Sequence, residues 1–173
     1  NRSFPDPRTG VPTTIIPEVQ IMMDYANSKH FTLSANFHGG AELVNYPWDT
    51  WTSSSKTHAD NNWYIHFSRQ YADSAQAKGP VGYFTDPYPV SNGVTNGGDW
   101  YVITGGRQDY MNWWQHCREV TIEISETKTP SSDQLPNFWT YNRGAFLSYL
   151  EAARQGFYGV VKLLIAYSNL FTN

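Results

Sequence analysis

The stretch from Phe31 to Asp49, FTLSANFHGGAELVNYPWD, predicts a strand that delivers a histidine into a turn. Apolar and small polar residues alternate from Phe31 to Phe37, which is the period-two pattern of a half-buried strand. Gly39 and Gly40 follow, where the backbone can turn freely. His38 should therefore lie at the carboxyl end of a strand, where ligands and catalytic groups gather in open α/β sheets. The alternative interpretation is a packing or surface histidine, because histidines are often half-buried.

The composition indicates one ordered globular domain over residues 1–173. Of the 173 residues, 40% are hydrophobic, 16% aromatic and 16% charged, and this length can bury a substantial core. The polar but weakly charged surface that such a composition predicts suits an extracellular or periplasmic protein. The chain begins at Asn1 without a methionine, which favours a fragment or a processed piece of a longer protein.

Charge and cysteine content exclude several classes of partner and site. The net charge is −3 and no basic stripe is present, so no nucleic acid partner is expected. No run approaches the roughly 20 apolar residues of a membrane span. The single Cys117 excludes an internal disulfide framework and any zinc site built from several cysteines.

Helical spacing of apolar residues predicts helices around the His38 strand. They run from Pro17 to about Ser28, from a cap at Asp60 to just before Gly79, and from Pro136 to Gln155, with a helical segment at 109–115. The second helix should bury an apolar face formed by Tyr64, Phe67, Tyr71 and Ala75. The last helix should carry an apolar face formed by Trp139, Phe146, Leu150 and Ala153.

Two other segments bear on function. Val81 to Asp99 is rich in Gly, Pro, Asn and Tyr without a sustained period, which predicts an irregular binding loop that covers a cleft. Val120 to Ser125 is a β-branched, alternating run that predicts a second strand, with Glu123 close to its end. A carboxylate in such a run either faces outward or needs a partner, because burying it unpaired is costly.

Three segments resemble the zinc metallocarboxypeptidases, and more closely their N/E (regulatory) branch than the pancreatic digestive branch. They are NRSFPD at 1–6, FHGGAELVNYPWD at 37–49, and WYVITGGRQDY at 100–110 followed by CREVTIEIS at 117–125. The resemblance extends to about Gly156 in order, spacing and residue type. It implies an α/β fold with a mixed, largely parallel central sheet flanked by helices, incomplete at the N-terminus.

The resemblance also implies a Zn²⁺ cofactor and a role for each matching residue. His38 matches the third zinc ligand, and Glu123 matches the glutamate that activates the attacking water. Asn1 and Arg2 match the pair that holds the terminal carboxylate of the substrate, while Tyr101 matches the tyrosine that closes over it. The implied partners are therefore peptide or protein C-termini, for whose carboxylates an arginine fork is well shaped.

A preference for C-terminal Lys or Arg follows from two further positions. Asp49 matches the acidic residue of the side-chain pocket in the N/E branch, and Gln108 matches a glutamine there. An acid in a pocket favours a basic side chain, because a buried cation needs a paired charge. Arg107 departs from the uncharged residue that is more common in the family.

Part of the family's site has no counterpart in this sequence. The His-x-x-Glu motif that supplies the first two zinc ligands lies upstream of the Asn-Arg pair in the family, as does a second arginine. His116 and Glu119 have the same spacing but lead directly into the predicted strand, and Glu42 is interpreted as structural. We therefore expect the chain alone to lack two zinc ligands, and the missing N-terminal segment of the same catalytic domain to cover the exposed sheet edge.

Other histidines and the tail carry no predicted role in the site. His30, His58 and His66 are interpreted as surface or packing residues, and the tail from about Val160 departs from the family. Two alternatives to a peptidase stay open. One is a catalytically inactive homologue that binds peptide C-termini, and the other is a carbohydrate-binding module that uses its aromatic loops.

Overall fold

Four strands form one sheet in the order β1-β4-β2-β3, with five helices around it, in a computed structural model that describes residues 2–12, 14–86 and 91–155. Chain order is α1 (Pro17–Lys29), β1 (Leu33–His38), β2 (Ala41–Tyr46), α2 (Asn61–Gln76), β3 (Val94–Asn96), α3 (Gly97–Trp100), α4 (Arg107–Trp113), β4 (Arg118–Ser125) and α5 (Leu135–Glu151). Short 3-10 turns at Ser132–Gln134 and Ala152–Arg154 flank α5.

The sheet is mixed and largely parallel, as predicted. β1 pairs with β4 and β2 pairs with β3 in parallel, whereas β2 and β4 are antiparallel. Because β4 inserts between β1 and β2, the Gly39–Gly40 turn connects strands that are not hydrogen-bonded to each other. The β1–β4 register places His38 directly opposite Glu123.

The two helices α1 and α2 follow the sequence signals closely. α1 begins with Pro17 in its first turn beside Glu18, and it ends where His30 adopts a left-handed conformation with φ 53°. α2 buries the predicted face against the sheet. Asp60 is the N-cap of α2, but its side chain makes no capping hydrogen bond and instead pairs with Arg118 at 2.9 Å.

The last helix buries a different face from the predicted one. Ala145 and Tyr149 of α5 lie in the main core, while Trp139 is 58% and Leu150 44% exposed. Apolar residues cover most of the circumference of α5, so the periodicity does not distinguish the core side. The residues from 156 onward, including the tail segment, lie outside the described part of the chain.

The predicted irregular segment from Val81 to Asp99 is partly core. Tyr83 and Phe84 are buried in the main core, and β3 adds a strand to the sheet before the single turn of α3. That part of the segment is therefore not a binding loop, and Tyr88 lies outside the described residues. Within the described ranges, no helix has the length and apolar character needed to cross a membrane.

Candidate active site

The paired strands β1 and β4 bring His38 and Glu123 together. His38 Nδ1 lies 3.4 Å from Glu123 Oε1, and the histidine side chain is 36% exposed while the glutamate is 8% exposed. Glu123 is therefore not the outward-facing strand residue of the alternative interpretation. Its Oε2 is buried without a hydrogen-bond donor among the described residues, which is a costly state for a structural carboxylate.

Asp49 and Gln108 meet in a buried pocket beside this pair. Asp49 Oδ1 accepts hydrogen bonds from Asn45 Nδ2 at 2.9 Å and from Gln108 Nε2 at 3.1 Å. Gln108 is positioned by the first turn of α4, and Asn45 by β2. Asn45 was not predicted as a site residue, because its proximity depends on the path of β2, a strand that the sequence analysis did not identify.

Asp49 is hard to ionise in this pocket. Burial, followed by the nearby charge of Asp109, raises the pKa of Asp49 to about 7. The Asp109 carboxylate is held in place by the backbone N–H groups of Asp49 at 3.0 Å and Thr50 at 2.8 Å. The pocket therefore contains a carboxyl group whose charge changes near neutral pH.

Tyr101 and Arg2 lie at the open side of the same site. Tyr101 is 49% exposed, and burial together with the charge of Glu123 raises the pKa of its hydroxyl, while Arg2 opposes that rise. The positive charge of Arg2 also lowers the pKa of Asp49, which places Arg2 within electrostatic reach of the pocket. Asn1 lies outside the described residues.

A buried polar network lies behind the site and was missed by sequence reasoning. Arg107 Nη2 pairs with Glu119 Oε2 at 3.0 Å, and Ser34 Oγ donates to the same carboxylate oxygen at 2.6 Å. Asn36 Nδ2 donates to Glu119 Oε1 at 3.1 Å and to Thr121 Oγ1 at 3.0 Å. Only the β1–β4 register reveals this arrangement, since it sets Ser34 opposite Glu119 and Asn36 opposite Thr121.

The network also explains why His116 and Glu119 form no ligand pair. Glu119 is wholly buried and directed toward Arg107, whereas His116 is exposed. Burial raises the pKa of Glu119, and the charge of Arg107 opposes that rise.

One small cavity of about 40 Å³ joins most of the predicted site residues. His38, Asp49, Tyr101, Gln108 and Glu123 line it together with Arg107, Asn45 and Trp100. These residues come from β1, β2, α3, α4 and β4 and from their flanking loops, and they converge near the carboxyl ends of the parallel strands β1 and β4. The structure thus brings these five predicted residues together, and their roles in the site stay predictions.

The donor set is only partly suited to zinc. Catalytic zinc sites take three protein ligands, and His38 supplies one imidazole beside the Glu123 carboxylate. Across the described ranges, no cluster of three or more His, Cys, Asp or Glu side chains could hold a metal ion. The residues present therefore fit one ligand and a neighbouring base, but they do not form a complete coordination sphere.

Comparison with known proteins places the chain in a family. The family model for zinc carboxypeptidases matches residues 2–145. Human carboxypeptidase D is 33% identical over 93% of this chain and 12% of that protein, and mouse carboxypeptidase M is 34% identical over 93% of this chain and 38% of that protein. Rat carboxypeptidase N catalytic chain is 33% identical over 84% of this chain and 33% of that protein.

Solved structures agree on the fold. Carboxypeptidase A from Helicoverpa armigera superposes with a TM-score of 0.66 at 14% identity, covering 88% of this chain and 41% of that one. Thrombin-activatable fibrinolysis inhibitor superposes with a TM-score of 0.63 at 13% identity, covering 89% and 42%. The chain thus spans less than half the length of each of these relatives. From the family model and the sequence identity to carboxypeptidases D, M and N, this chain belongs to the zinc carboxypeptidase family.

Proposed function

We propose that the complete protein is a metallocarboxypeptidase that hydrolyses the C-terminal peptide bond of peptides or proteins. The observation that carries this proposal is the contact between His38 Nδ1 and Glu123 Oε1 at 3.4 Å, beside a pocket that Asp49 and Gln108 line. A histidine and a poorly solvated carboxylate at adjacent strand ends suit metal-assisted general-base hydrolysis.

Each residue has a distinct task in this mechanism. Zinc, when bound, supplies Lewis-acid polarisation of the scissile carbonyl and a water whose pKa falls to about 7. His38 would hold that metal from the strand end. Glu123 accepts the proton of the attacking water and passes it to the leaving amine, a role for which its unpaired Oε2 is suited. Two further ligands would come from outside the described residues.

Selection of a free C-terminus is assigned to Arg2, Asn1 and Tyr101. The Arg2 guanidinium offers a fork of donors that matches a carboxylate, and its charge reaches both Asp49 and Tyr101. Tyr101 is half-exposed at the mouth of a cavity of about 40 Å³, so a bound residue requires this side chain to move aside and then cover it. The Tyr101 side chain would thus hold the ligand in place only after the ligand has entered the cavity.

A preference for C-terminal Lys or Arg is supported by the charges of the pocket. Arg107 introduces a positive charge there, but the buried Glu119 neutralises it at 3.0 Å. Of the two carboxyl groups that line the cavity, Glu123 has the proposed catalytic role, so Asp49 is the one available to balance a cation, and the hydrogen bonds from Asn45 and Gln108 fix its orientation. The pocket therefore suits a basic side chain once Asp49 is ionised.

We further propose that a preceding segment of the same catalytic domain covers the outer side of β1. β1 is an edge strand that pairs only with β4 within the described sheet. Phe37 of this strand is 45% exposed and lines an apolar cavity of about 320 Å³ together with Phe138 and Trp139. An exposed edge with an apolar border is the surface that a further strand would bury. An extracellular or periplasmic location remains a prediction from composition.

The decisive experiment uses the full-length protein, its zinc content and two peptide substrates that differ only in a C-terminal Lys or Leu. We expect about one zinc per molecule, loss of activity on chelation, and faster release of Lys. Bound zinc without release of any C-terminal residue would contradict the proposed activity.

A catalytically inactive homologue that binds peptide C-termini is the competing function. It is favoured by the fact that the described residues include Arg2, Tyr101 and Asp49 of the proposed substrate-binding set but no complete set of metal ligands. If the full-length protein carries no zinc yet binds a peptide with a free C-terminus, and does not bind its amidated form, this second function is correct.

A further inference from the structure

A second cavity lies at the opposite end of β4 from the candidate active site. It has a volume of about 480 Å³, and we call it the indole cleft. The residues that line it include Trp48, His58, Asp60, Trp113, His116 and Arg118. Arg118 begins β4 and precedes Glu123 by five residues. At about 3.3 Å per residue, the two ends are about 17 Å apart. No residue that lines the indole cleft also lines the cavity of the active site.

The aromatic side of the indole cleft is held rigidly. Trp48 contacts Trp113 edge to face at 5.5 Å between ring centroids and stacks at a tilt on His58 at 4.7 Å. The Lys56 ammonium lies over both Trp51 and Trp113, 4.1 Å and 4.2 Å from their centroids. These cation–π contacts fix the ring of Trp113, which is nevertheless 36% exposed. A fixed and exposed indole is a good recognition surface, because little conformational entropy is lost when a ligand packs on it.

Trp48 adds a hydrogen-bond donor that lacks an acceptor. The residue is 5% exposed, and its Nε1 is buried with no partner in the described part of the chain. A buried indole N–H normally finds an acceptor, because leaving it unpaired is costly. Because this nitrogen has almost no accessible surface, it does not itself reach a ligand in the indole cleft; the buried indole of Trp48 instead supports Trp113 through their edge-to-face contact.

The charged side of the indole cleft is balanced. Asp60 Oδ2 accepts from Arg118 Nε and Nη2, each at 2.9 Å. Burial lowers the pKa of His58, whose Nδ1 accepts the backbone N–H of Asp60 at 2.9 Å. The neutral ring then carries its proton on Nε2. An anion entering the indole cleft would meet Asp60 and a cation would meet Arg118, so the site suits an uncharged ligand with both donors and acceptors.

We propose that the indole cleft binds a neutral saccharide, with the C–H face of the sugar ring on Trp113 and its hydroxyls on Asp60 and Arg118. The C–H groups of a pyranose carry partial positive charge and complement the negative face of an indole. Hydroxyls both donate and accept, so they suit the carboxylate and the N–H donors together. A volume of about 480 Å³ accommodates a mono- or disaccharide.

A saccharide fits the indole cleft better than a peptide segment does. The polar atoms of the cleft belong to side chains arranged around an indole face, which matches a ring with hydroxyls on its rim. A peptide backbone alternates donors and acceptors along a line and is best matched by a strand edge, which the lining of the indole cleft does not include.

Calorimetric titration of the full-length protein with cellobiose, maltose and N,N′-diacetylchitobiose tests this proposal. We expect saturable binding of at least one disaccharide. Trp113→Ala and Asp60→Asn should each weaken that binding at least about tenfold. Trp139→Ala removes an indole of α5 that does not line the indole cleft, and it should leave the affinity of the folded protein unchanged. Circular dichroism of each variant confirms that it is folded.

Three results would overturn the proposal. One is the lack of saturable binding for all three sugars, and another is an equal loss of affinity in the Trp113 and Trp139 variants. The third is Trp113-dependent binding of sulfate or of acetyl-trialanine amide in place of sugar. The blocked peptide has no free C-terminus, so its binding is not confused with occupation of the active site. Peptidase activity plays no part in the readout.

Discussion

Glu123 combines burial with an unpaired carboxylate oxygen, and this state distinguishes a reactive group from a structural one. Its Oε1 is near His38, while Oε2 has no donor within the part of the chain that the structure describes. By contrast, the Glu119 carboxylate is fully buried and accepts from Ser34, Asn36 and Arg107. Two glutamates on one face of the same strand thus have different surroundings, which fit the proposed proton transfer by Glu123 and a structural role for Glu119.

Glu123→Gln should lower kcat by about 10²–10⁴-fold or more while leaving KM nearly unchanged, because a proton acceptor is lost and the substrate contacts are retained. Steady-state kinetics on a peptide with C-terminal Lys measures this, with zinc content measured in parallel. Glu126→Gln, an exposed change three residues further along, is the matched control and should keep full activity. A Glu123→Gln enzyme of normal kcat would remove Glu123 from the mechanism.

Asp49 should make the preference for basic residues depend on pH. Its pKa is raised to about 7, mainly by burial, so the carboxyl is largely neutral below that pH and charged above it. The ratio of kcat/KM for C-terminal Lys to that for C-terminal Leu should therefore rise as the pH increases through about 7. The ratio cancels ionisations that both substrates share. Asp49→Asn should give a low ratio that does not vary with pH; a ratio that stays pH-dependent in this variant contradicts the assignment.

The raised pKa of Asp49 also makes the stability of the folded chain depend on pH. The pKa of Asp49 in the folded chain lies above its unfolded value of 3.8, so the folded state retains a proton that the unfolded state releases. The contribution of Asp49 to the free energy of unfolding is therefore greatest at low pH and falls as the pH rises from about 4 to about 7.

The strand pair β1–β4 is the element on which the site depends, and its polar face forms a ladder. Ser34, Asn36 and His38 of β1 lie opposite Glu119, Thr121 and Glu123 of β4. Arg107 closes one end of this ladder from α4, where it also lines the active-site cavity. The position of His38 and Glu123 is thus linked to a buried ion pair whose glutamate, Glu119, lies four residues before Glu123 in β4.

Arg107→Met should destabilise the full-length protein by about 3–5 kcal/mol, because it leaves the buried Glu119 carboxylate without its counter-charge. Adding Glu119→Gln should recover much of that loss, since a neutral amide needs no cation. Urea unfolding of the wild type, both single variants and the double variant measures the coupling. Losses that simply add in the double variant would show that the ion pair is not the unit that stabilises this ladder.

Sequence patterns predicted the elements that have a clear period and a capping signal. The strands that carry His38 and Glu123, and the helices α1 and α2, were found in this way. β2 was missed because it follows β1 after only two glycines, and its hydrogen bonds go to β4 rather than to its sequence neighbour. β3 has three residues, which is too short for a pattern to register.

Residues of the candidate site could be predicted where a single sequence position is informative. They could not be predicted where the role depends on which two side chains are paired. His38 and Glu123 stand out at strand ends, and Asp49 and Gln108 followed from the family resemblance. The partnership of Asn45 with Asp49, and that of Arg107 with Glu119, depends on which strands are adjacent. Such side-chain pairs are set by tertiary register, about which local composition carries little information.

Across the whole molecule, the apolar border of β1 and α5 is the surface that tests the proposed covering segment. Phe37 lies on β1 with its side chain 45% exposed and in edge contact with Phe146 at 5.4 Å. Leu147 on α5 is also exposed, at 56%, but does not line the apolar cavity beside β1. The two residues therefore have similar exposure here but should differ in the full-length protein.

Phe37→Asp should lower the free energy of unfolding of the full-length protein by about 2 kcal/mol or more, because a covered phenylalanine loses its burial and a carboxylate takes its place. Leu147→Asp, the matched control, should change it by no more than about 0.5 kcal/mol, as is usual for a surface site. Urea denaturation of both variants measures the difference. Equal, small effects would mean that Phe37 stays exposed in the complete protein, and that the catalytic domain does not continue across the β1 edge.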